Sequence, residues 1–167
     1  MTDSTTALGT VSATGFRALM SEFPSGIAIV TATDDEGGPW GMTCSSLCSL
    51  SVSPPMLLVC LRAGSPTLAA IVKRGAFAVN LLHDGARSAA ELFASGRPGR
   101  FDQVRWNNGQ SGPHLLDAAH AIADCRVSRT EHAGSHVIVM GTVLDVTHQD
   151  GHVPLLYGRR RYSSWPE

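Results

Sequence analysis

The sequence has little charge, and neither sign dominates it. Only 16% of its 167 residues are charged, with 13 Lys and Arg against 14 Asp and Glu, whereas soluble domains carry roughly 25%. The basic surface of a protein that coats nucleic acid or an anionic membrane is therefore missing. Charge is also depleted at the centre of subunit interfaces. We expect a homodimer, although an Ala-, Ser- and Gly-rich genome gives the same low charge.

Long hydrophobic runs are absent as well. The longest apolar stretches, Met56–Leu61 and Val137–Met140, fall far short of the ~20 residues of a membrane-spanning helix. The first fifteen residues contain no apolar signal segment. We expect a cytoplasmic protein with no membrane partner. The length suits about one domain, so we expect a flexible lead over 1–13 and a single domain over 14–167.

Motifs for nucleophilic and phosphoryl-transfer chemistry are missing too. The sequence contains no G-x-S-x-G, H-E-x-x-H, Walker or G-x-G-x-x-G pattern. A turn signal at Asp150-Gly151 separates His148 from His152 and argues against a zinc site there. We expect no metal, and the pattern favours a protein whose chemistry comes from a bound cofactor.

Cysteines are few and are not spaced as metal ligands or redox pairs. No C-x-x-C occurs, and we expect reduced structural thiols. They lie at Cys44, Cys48, Cys60 and Cys125.

Apolar spacing and capping residues predict three helices. Phe16, Leu19, Met20 and Phe23 form one helical stripe. The predicted helices run from a Thr14 cap to Pro24, from a Ser65 cap to Gly75, and from a capping box at Ser88 and Glu91 to Gly96.

Alternating β-branched residues between turn signals predict six strands. Their spacing and the Gly and Pro punctuation favour a mainly β fold, an antiparallel barrel with flanking helices, over an α/β sheet. The predicted strands cover 26–33, 42–45, 56–61, 76–82, 121–129 and 136–145.

Hydroxyl and thiol side chains are concentrated after Gly41-Met42. Five serines, one threonine and two cysteines occupy the thirteen positions 43–55. Short donors and free backbone N–H groups suit an anionic or heteroaromatic ligand, but an ordinary serine-rich loop has the same composition.

Basic residues accompany two of the predicted helices. Ser65 begins a helix, and Arg62 lies three residues before it, an arrangement that suits a phosphate or a simple cap with a solvated arginine. Arg97, Arg100 and Arg105 follow the third helix as a second basic cluster or a solvated loop.

His136 is placed by strand register on the face of Ile138, Met140 and Leu144. A titratable ring at the mouth of an apolar face contacts a ligand or has a structural role.

Several segments, in order over residues 15 to 163, resemble the short-chain flavin reductases of two-component flavoprotein monooxygenases. They are Phe23 to Ala32, Gly41 to Ser46, Ser51 to Pro55, Phe77 to Leu82, Phe93-Ala94, Phe101, Cys125, Gly134 to Val143, Pro154 to Tyr157, and Tyr162.

The resemblance implies an FMN-binding split β-barrel of Greek-key topology. It implies hydride transfer from NADH, or NADPH, to FMN or FAD, a flavin site completed at a homodimer interface, and transfer of reduced flavin to a partner flavin-dependent monooxygenase. The composition is compatible with a pathway of specialised metabolism, such as antibiotic biosynthesis.

The resemblance also implies roles for individual residues. Thr43, Cys44, Ser45 and Ser46 line the flavin, Asn80 and Leu81 border its ring, and Ser65 and Thr67 meet its ribityl or phosphate end. His136 positions the nicotinamide, and Ser135 stands where the family has Asp. The remaining cofactor-binding candidates are Met42, Arg62, Phe93, Arg100, Phe101 and Tyr162.

Three other functions remain open on the same fold. One is an oxidoreductase similar to pyridoxamine-phosphate oxidase that retains its flavin. The second is a flavin-binding module without turnover, and the third is an interaction barrel without a cofactor.

Overall fold

Residues 10–166 are described by a computed structural model, in which helices flank antiparallel sheets. The helices are α1 (Ala13–Ser21), α2 (Pro66–Arg74) and α3 (Arg87–Ala94), with 3₁₀ turns at Asp84–Ala86 and Phe101–Gln103. The strands are β1 (Ser25–Gly26), β2 (Ala28–Thr33), β3 (Pro39–Cys44), β4 (Leu47–Val52), β5 (Pro55–Arg62), β6 (Ala76–Leu82), β7 (Trp106–Asn108), β8 (Pro113–Leu115), β9 (Ala119–Ala133), β10 (His136–His148), β11 (Leu155–Gly158) and β12 (Arg161–Ser164).

Seven strands form one antiparallel sheet in the order β3-β2-β6-β9-β10-β5-β4. Cys44 on β3 and Val59 on β5, from opposite parts of that order, lie in the same core cluster. The sheet therefore curls around a common interior, which α2 closes with Leu68 and Ile71. The prediction of a split barrel with flanking helices is confirmed.

Strand β2 is buried on both faces. Ala28 and Val30 face the barrel interior, whereas Ile29 lies in a second core with α3 and Phe101. Because successive side chains of a strand point to opposite faces, one β-branched strand serves both cores. The strand also holds α3 beside the barrel.

The β9–β10 pair carries two register shifts, between Met140 and Gly141 and between Val143 and Asp145. At Gly141 a Cβ would lie 2.6 Å from Cζ of Phe77, which is fully buried. The glycine therefore allows this ring to fill the interior directly against the strand backbone.

A buried amide ties the β7–β8 hairpin to the barrel. The Asn80 side chain donates to the carbonyl oxygens of Ile29 at 3.1 Å and Pro113 at 3.2 Å and to Thr31 Oγ1 at 3.1 Å, and its Oδ1 accepts from Leu115 N–H at 2.8 Å. Both N–H groups of the amide and one lone pair of its oxygen form hydrogen bonds. These bonds offset the free-energy cost of burying the polar side chain.

Two predicted helix starts are wrong. Helix α1 is capped by Ser12 rather than Thr14, because the Ser12 Oγ accepts from Gly15 N–H at 3.1 Å. Helix α3 begins at Arg87 directly after a 3₁₀ turn and has no side-chain cap. Glu91 therefore forms no capping box and instead pairs with Arg87 at 2.8 Å, an (i, i+4) ion pair.

Several strands lie outside the predicted set. β4 occupies part of the segment that was predicted only as a wall or loop, and β7, β8, β11 and β12 were not predicted. β9 and β10 extend beyond the predicted 121–129 and 136–145. None of the helices described in 10–166 is long and apolar enough to cross a membrane.

Most of the predicted lead, 1–9, lies outside the described residues. The lead ends earlier than predicted, because Ser12 and Ala13 already form the start of α1. The extent of the single domain stays a prediction.

Candidate functional site

Three adjoining cavities follow β3 and the turn after it. The α2 cavity, of about 550 Å³, lies among Met42, Arg62 to Thr67, Phe93 and Arg100. The Tyr162 cavity, of about 400 Å³, shares Ala94 with it, and the α1 cavity, of about 930 Å³, shares Ser45, Tyr157 and Arg160 with the Tyr162 cavity. We call the three together the groove.

The α2 cavity ends at the N-terminus of α2. Ser65 Oγ accepts the Leu68 N–H at 3.2 Å, Pro66 occupies the first helical position, and Gly64, with φ of 77°, makes the preceding turn. The cavity is also lined by Arg62 and Arg100, and none of its described lining residues is acidic. A helix N-terminus beside two guanidinium groups suits a phosphate.

An aromatic wall supports the other side of the α2 cavity. A Cβ at Gly41 would lie 2.9 Å from Phe93 Cε1, so the ring packs directly on β3. Phe93 and Phe101 meet edge to face at 5.0 Å, Phe101 and Trp106 at 5.4 Å, and the Arg100 guanidinium lies 5.9 Å from the Phe93 ring centre. These contacts fix the position of the wall.

The Tyr162 cavity combines aromatic rings with an ion pair. Tyr157 and Tyr162 meet at 5.1 Å, and the Arg87 guanidinium lies 5.5 Å from the Tyr162 ring centre while pairing with Glu91 at 2.8 Å. Partial burial, and then the Glu91 carboxylate, raise the pKa of Tyr162. Its phenol is therefore protonated at neutral pH and available as a donor.

The α1 cavity lies between α1 and the turn that follows β3. Its lining includes Arg17, Met20, Phe23, Ser46 and Arg160. The apolar stripe predicted for this helix points to solvent, with exposed fractions of 53% for Phe16, 67% for Leu19, 45% for Met20 and 67% for Phe23. One wall of the groove is thus an uncovered apolar surface.

Most of the predicted cofactor-binding residues lie around the groove. The α2 cavity is lined by Met42, Arg62, Ser65, Thr67, Phe93 and Arg100, the Tyr162 cavity by Thr43, Ser45 and Tyr162, and the α1 cavity by Ser46. Thr43 also anchors α3, because its Oγ1 donates to the Ala90 carbonyl at 2.6 Å.

Four predicted residues do not line the groove. Asn80 is 0% exposed and holds the β7–β8 hairpin, and Cys44 lies in the barrel core, where burial raises the pKa of its thiol. Leu81 packs against that core, and Phe101 supports Phe93 from behind. The side chains of Asn80 and Cys44 are therefore enclosed by the fold, and the predicted contacts of these two residues with a flavin stay a prediction.

His136 is exposed at the start of β10. The buried face of this strand carries Val137 and Val139, so His136 and Ile138 lie on the opposite, half-buried face. The His136 Nδ1 lies 3.0 Å from Ser135 Oγ, and Arg62, which lines the α2 cavity, is its cross-strand partner. The histidine lies near the groove without lining any of its three cavities.

The sequence analysis missed the arginines near the C-terminus. Arg160 lines both the Tyr162 and α1 cavities, and Arg161 lines the Tyr162 cavity. The run of three arginines between Gly158 and Tyr162 is visible in the sequence, but its placement depends on a turn that docks against α1.

The cysteines are free thiols as predicted, although Cys48 is exposed rather than structural.

A family model describes the chain over most of its length. Residues 20–166 match the flavin reductase like domain. A flavin reductase (NADPH) of Lentzea aerocolonigenes is 47% identical over 93% of this chain and 91% of its own. A flavin reductase (NADH) of Kitasatospora aureofaciens is 40% identical over 96% of this chain and 85% of its own.

Solved structures share the fold. Nitrilotriacetate monooxygenase component B from Mycobacterium thermoresistibile superposes with a TM-score of 0.86 at 30% identity, covering 92% of this chain and 86% of its own.

Proposed function

The chain belongs to the flavin reductase like domain family, and we propose that it transfers a hydride from NADH or NADPH to free FMN or FAD. The products are NAD(P)⁺ and reduced flavin, which passes to a separate flavin-dependent monooxygenase. A relative that is itself a monooxygenase component supports this partner. We place the reaction in the cytoplasm, where free thiols such as these four stay reduced.

The observation that carries the proposal is the α2 cavity with its cationic end. The N-terminus of α2, Arg62 and Arg100 would hold the flavin phosphate, with Thr67 beside them. The groove then continues past Met42 and Phe93 to Tyr162, and the flavin ring would lie along this path. The donor set therefore fits the cofactor without any acidic residue near the phosphate.

The protein's part in the reaction is binding and orientation. A bound flavin supplies the electron sink, so neither a nucleophile nor a strong general base is required. The aromatic wall and the half-buried tyrosines would offer the flavin ring apolar surface in place of water. We assign to His136 the positioning of the nicotinamide.

We also propose that two copies of the chain form a homodimer through the apolar stripe of α1. Its four large side chains are 45 to 67% exposed, which is unusual for a monomer, and two of them, Met20 and Phe23, line the α1 cavity. A second copy that covers the stripe would also enclose the α1 cavity. Light scattering should then give about twice 17.6 kDa.

The decisive experiment mixes purified protein with NADH or NADPH and with FMN, FAD or riboflavin, and follows absorbance at 340 nm under air. We expect oxidation that depends on added flavin. No flavin-dependent oxidation with either nucleotide would contradict the proposal.

The same protein distinguishes the other functions open to this fold. Yellow colour that survives dialysis indicates a flavin-retaining oxidoreductase, and tight flavin binding without oxidation indicates a binding module. Absence of flavin binding indicates an interaction barrel.

A second experiment tests His136. The variant His136→Ala should raise the KM for NADH far more than that for flavin, and an unchanged KM for NADH would remove the positioning role.

A further inference from the structure

The turn between β11 and β12 holds two arginines in a backbone conformation that favours glycine. Arg159 has φ of 49° and Arg160 has φ of 59°, and they are the only non-glycine residues with positive φ in 10–166. Gly158 pairs with Arg161 across the turn, so this is a two-residue hairpin turn, where Asn-Gly is the ordinary choice. A turn that keeps arginine at both strained positions points to a use for these side chains.

The first arginine docks the turn against α1. The Arg159 N–H donates to the Ser21 carbonyl at 2.7 Å, and its Nε donates to Glu22 Oε2 at 3.0 Å. Gly158 lies close to Pro24, where a Cβ would come within 3.2 Å of the proline ring. The turn is therefore fixed at the end of α1, and the charge of Arg159 is already paired.

The next two arginines line the groove without a partner. Arg160 borders the Tyr162 and α1 cavities, and Arg161 borders the Tyr162 cavity. Among the described residues neither guanidinium has a carboxylate within 4.0 Å, and Glu91 of the same cavity is already paired with Arg87. Although the chain has a formal net charge of −1, this part of the groove is positive.

The groove thus has two cationic regions. One is formed by Arg62, Arg100 and the N-terminus of α2 in the α2 cavity. The other is formed by Arg160 and Arg161 in the Tyr162 cavity, and Arg160 also borders the α1 cavity. The reaction brings together two anionic substrates whose rings must meet. If the flavin phosphate occupies the cationic region at α2, the second cationic region is left for the other substrate.

We propose that Arg160 and Arg161 bind phosphate oxygens of the reduced pyridine nucleotide. The proposal rests on the proposed function and adds a site for its second substrate. Two guanidinium groups in one cavity can bind either the pyrophosphate, which NADH and NADPH share, or the 2′-phosphate, which NADPH alone carries.

The test compares Arg160→Asn with Arg159→Asn in the full-length protein. Both changes remove one positive charge from the same left-handed turn, and asparagine tolerates that conformation. Arg160→Asn should raise the KM for the nucleotide about tenfold, since a hydrogen bond to a charged group is lost. It should leave kcat and the Kd for FMN within about twofold and should not lower Tm. Arg159→Asn should leave the KM within about twofold.

A comparison of NADPH with NADH shows which phosphate group the two arginines bind. A larger rise in KM for NADPH than for NADH assigns the arginines to the 2′-phosphate, and equal rises assign them to the pyrophosphate. The salt dependence of KM should also weaken in Arg160→Asn.

Three outcomes would overturn the inference in an active wild-type enzyme. They are an unchanged KM for both nucleotides in Arg160→Asn, an equal loss of affinity for FMN, and an equal effect of Arg159→Asn. Absence of oxidation in the wild type would instead contradict the proposed function.

Discussion

Helices α1 and α2 have the same length and the same type of N-terminal cap, but they differ in how much of their surface is buried. Each spans nine residues and begins after a serine whose Oγ accepts a backbone N–H, from Gly15 in α1 and from Leu68 in α2. Helix α2 buries Thr67, Leu68, Ala70 and Ile71, whereas α1 buries no residue within the described chain. Apolar spacing therefore specifies a helix and its apolar face, but not the surface that packs against this face.

The largest difference is expected from truncating one apolar side chain in each helix. Ile71 is fully buried in the barrel core, so Ile71→Ala should lower the free energy of unfolding by about 3 kcal/mol. Leu19→Ala should cost less than about 1 kcal/mol in the monomer, with a further loss that depends on protein concentration if a dimer buries it. Urea denaturation at two protein concentrations measures the free energy of unfolding of both variants. If Ile71→Ala and Leu19→Ala lowered it equally and independently of protein concentration, the proposed difference between the two helices would be wrong.

A charge on the exposed face of α1 should break the proposed dimer. Leu19→Arg places a guanidinium in the apolar stripe and should weaken association by about 2 kcal/mol or more, which lowers the mass seen in dilute light scattering towards that of one chain. Val72→Arg is the matched control, because Val72 is an exposed apolar residue of α2. Equal dissociation by both variants, or by neither, would place the interface elsewhere.

The two serine caps should differ in stability and in ligand binding. Ser65→Ala should cost about 1 kcal/mol and weaken FMN binding, because the cap orders the N-terminus of α2 beside Arg62. Ser12→Ala, at an uncovered helix, should cost a few tenths of a kcal/mol and leave FMN binding unchanged. Thermal melting and flavin titration measure these effects.

Ser65→Asp separates the two roles of this cap. Aspartate caps a helix as well as serine does, but its charge repels a phosphate. Stability should persist while FMN binding weakens, and unchanged binding would remove the phosphate from this helix end.

The smallest effect concerns two cysteines on either side of one turn. Burial raises the pKa of Cys44 in the barrel core, so its thiolate is scarce and shielded, whereas Cys48 on β4 is exposed. Alkylation of the native protein at pH 8 should modify Cys48 first and Cys44 only on unfolding, as mass spectrometry of peptides would show. Burial also raises the pKa of Cys125 to about 12, so it should behave like Cys44.

The parts of the fold that could be predicted from sequence are those with local signals. Helix α2 was predicted from its Ser-Pro start to Gly75, whose φ of 71° ends the helix, and β6 was predicted at its observed bounds. Strand β4 was missed although Cys48, Leu50 and Val52 alternate with Ser49 and Ser51, because a serine-rich segment is equally typical of a loop. The start of α3 was misplaced because a 3₁₀ turn, and not a side chain, begins it.

The same distinction applies to the groove. Arg62 and Ser65 are neighbours in sequence and could be grouped before the fold was seen. The burial of the Asn80 side chain could not be predicted, because the groups that hold it lie 33 to 51 residues away. Arg160 was missed because only the docking of its turn against α1 brings it to the groove.

The contact between Gly141 and Phe77 couples the residue types that the two positions can accept. Any side chain at 141 would enter the space of the Phe77 ring, so a gene library randomised at 141 alone should return glycine. A library randomised at both positions should return pairs in which a larger residue at 141 accompanies a smaller one at 77. During evolution, substitutions at the two positions should therefore be correlated, although 63 residues of chain separate them.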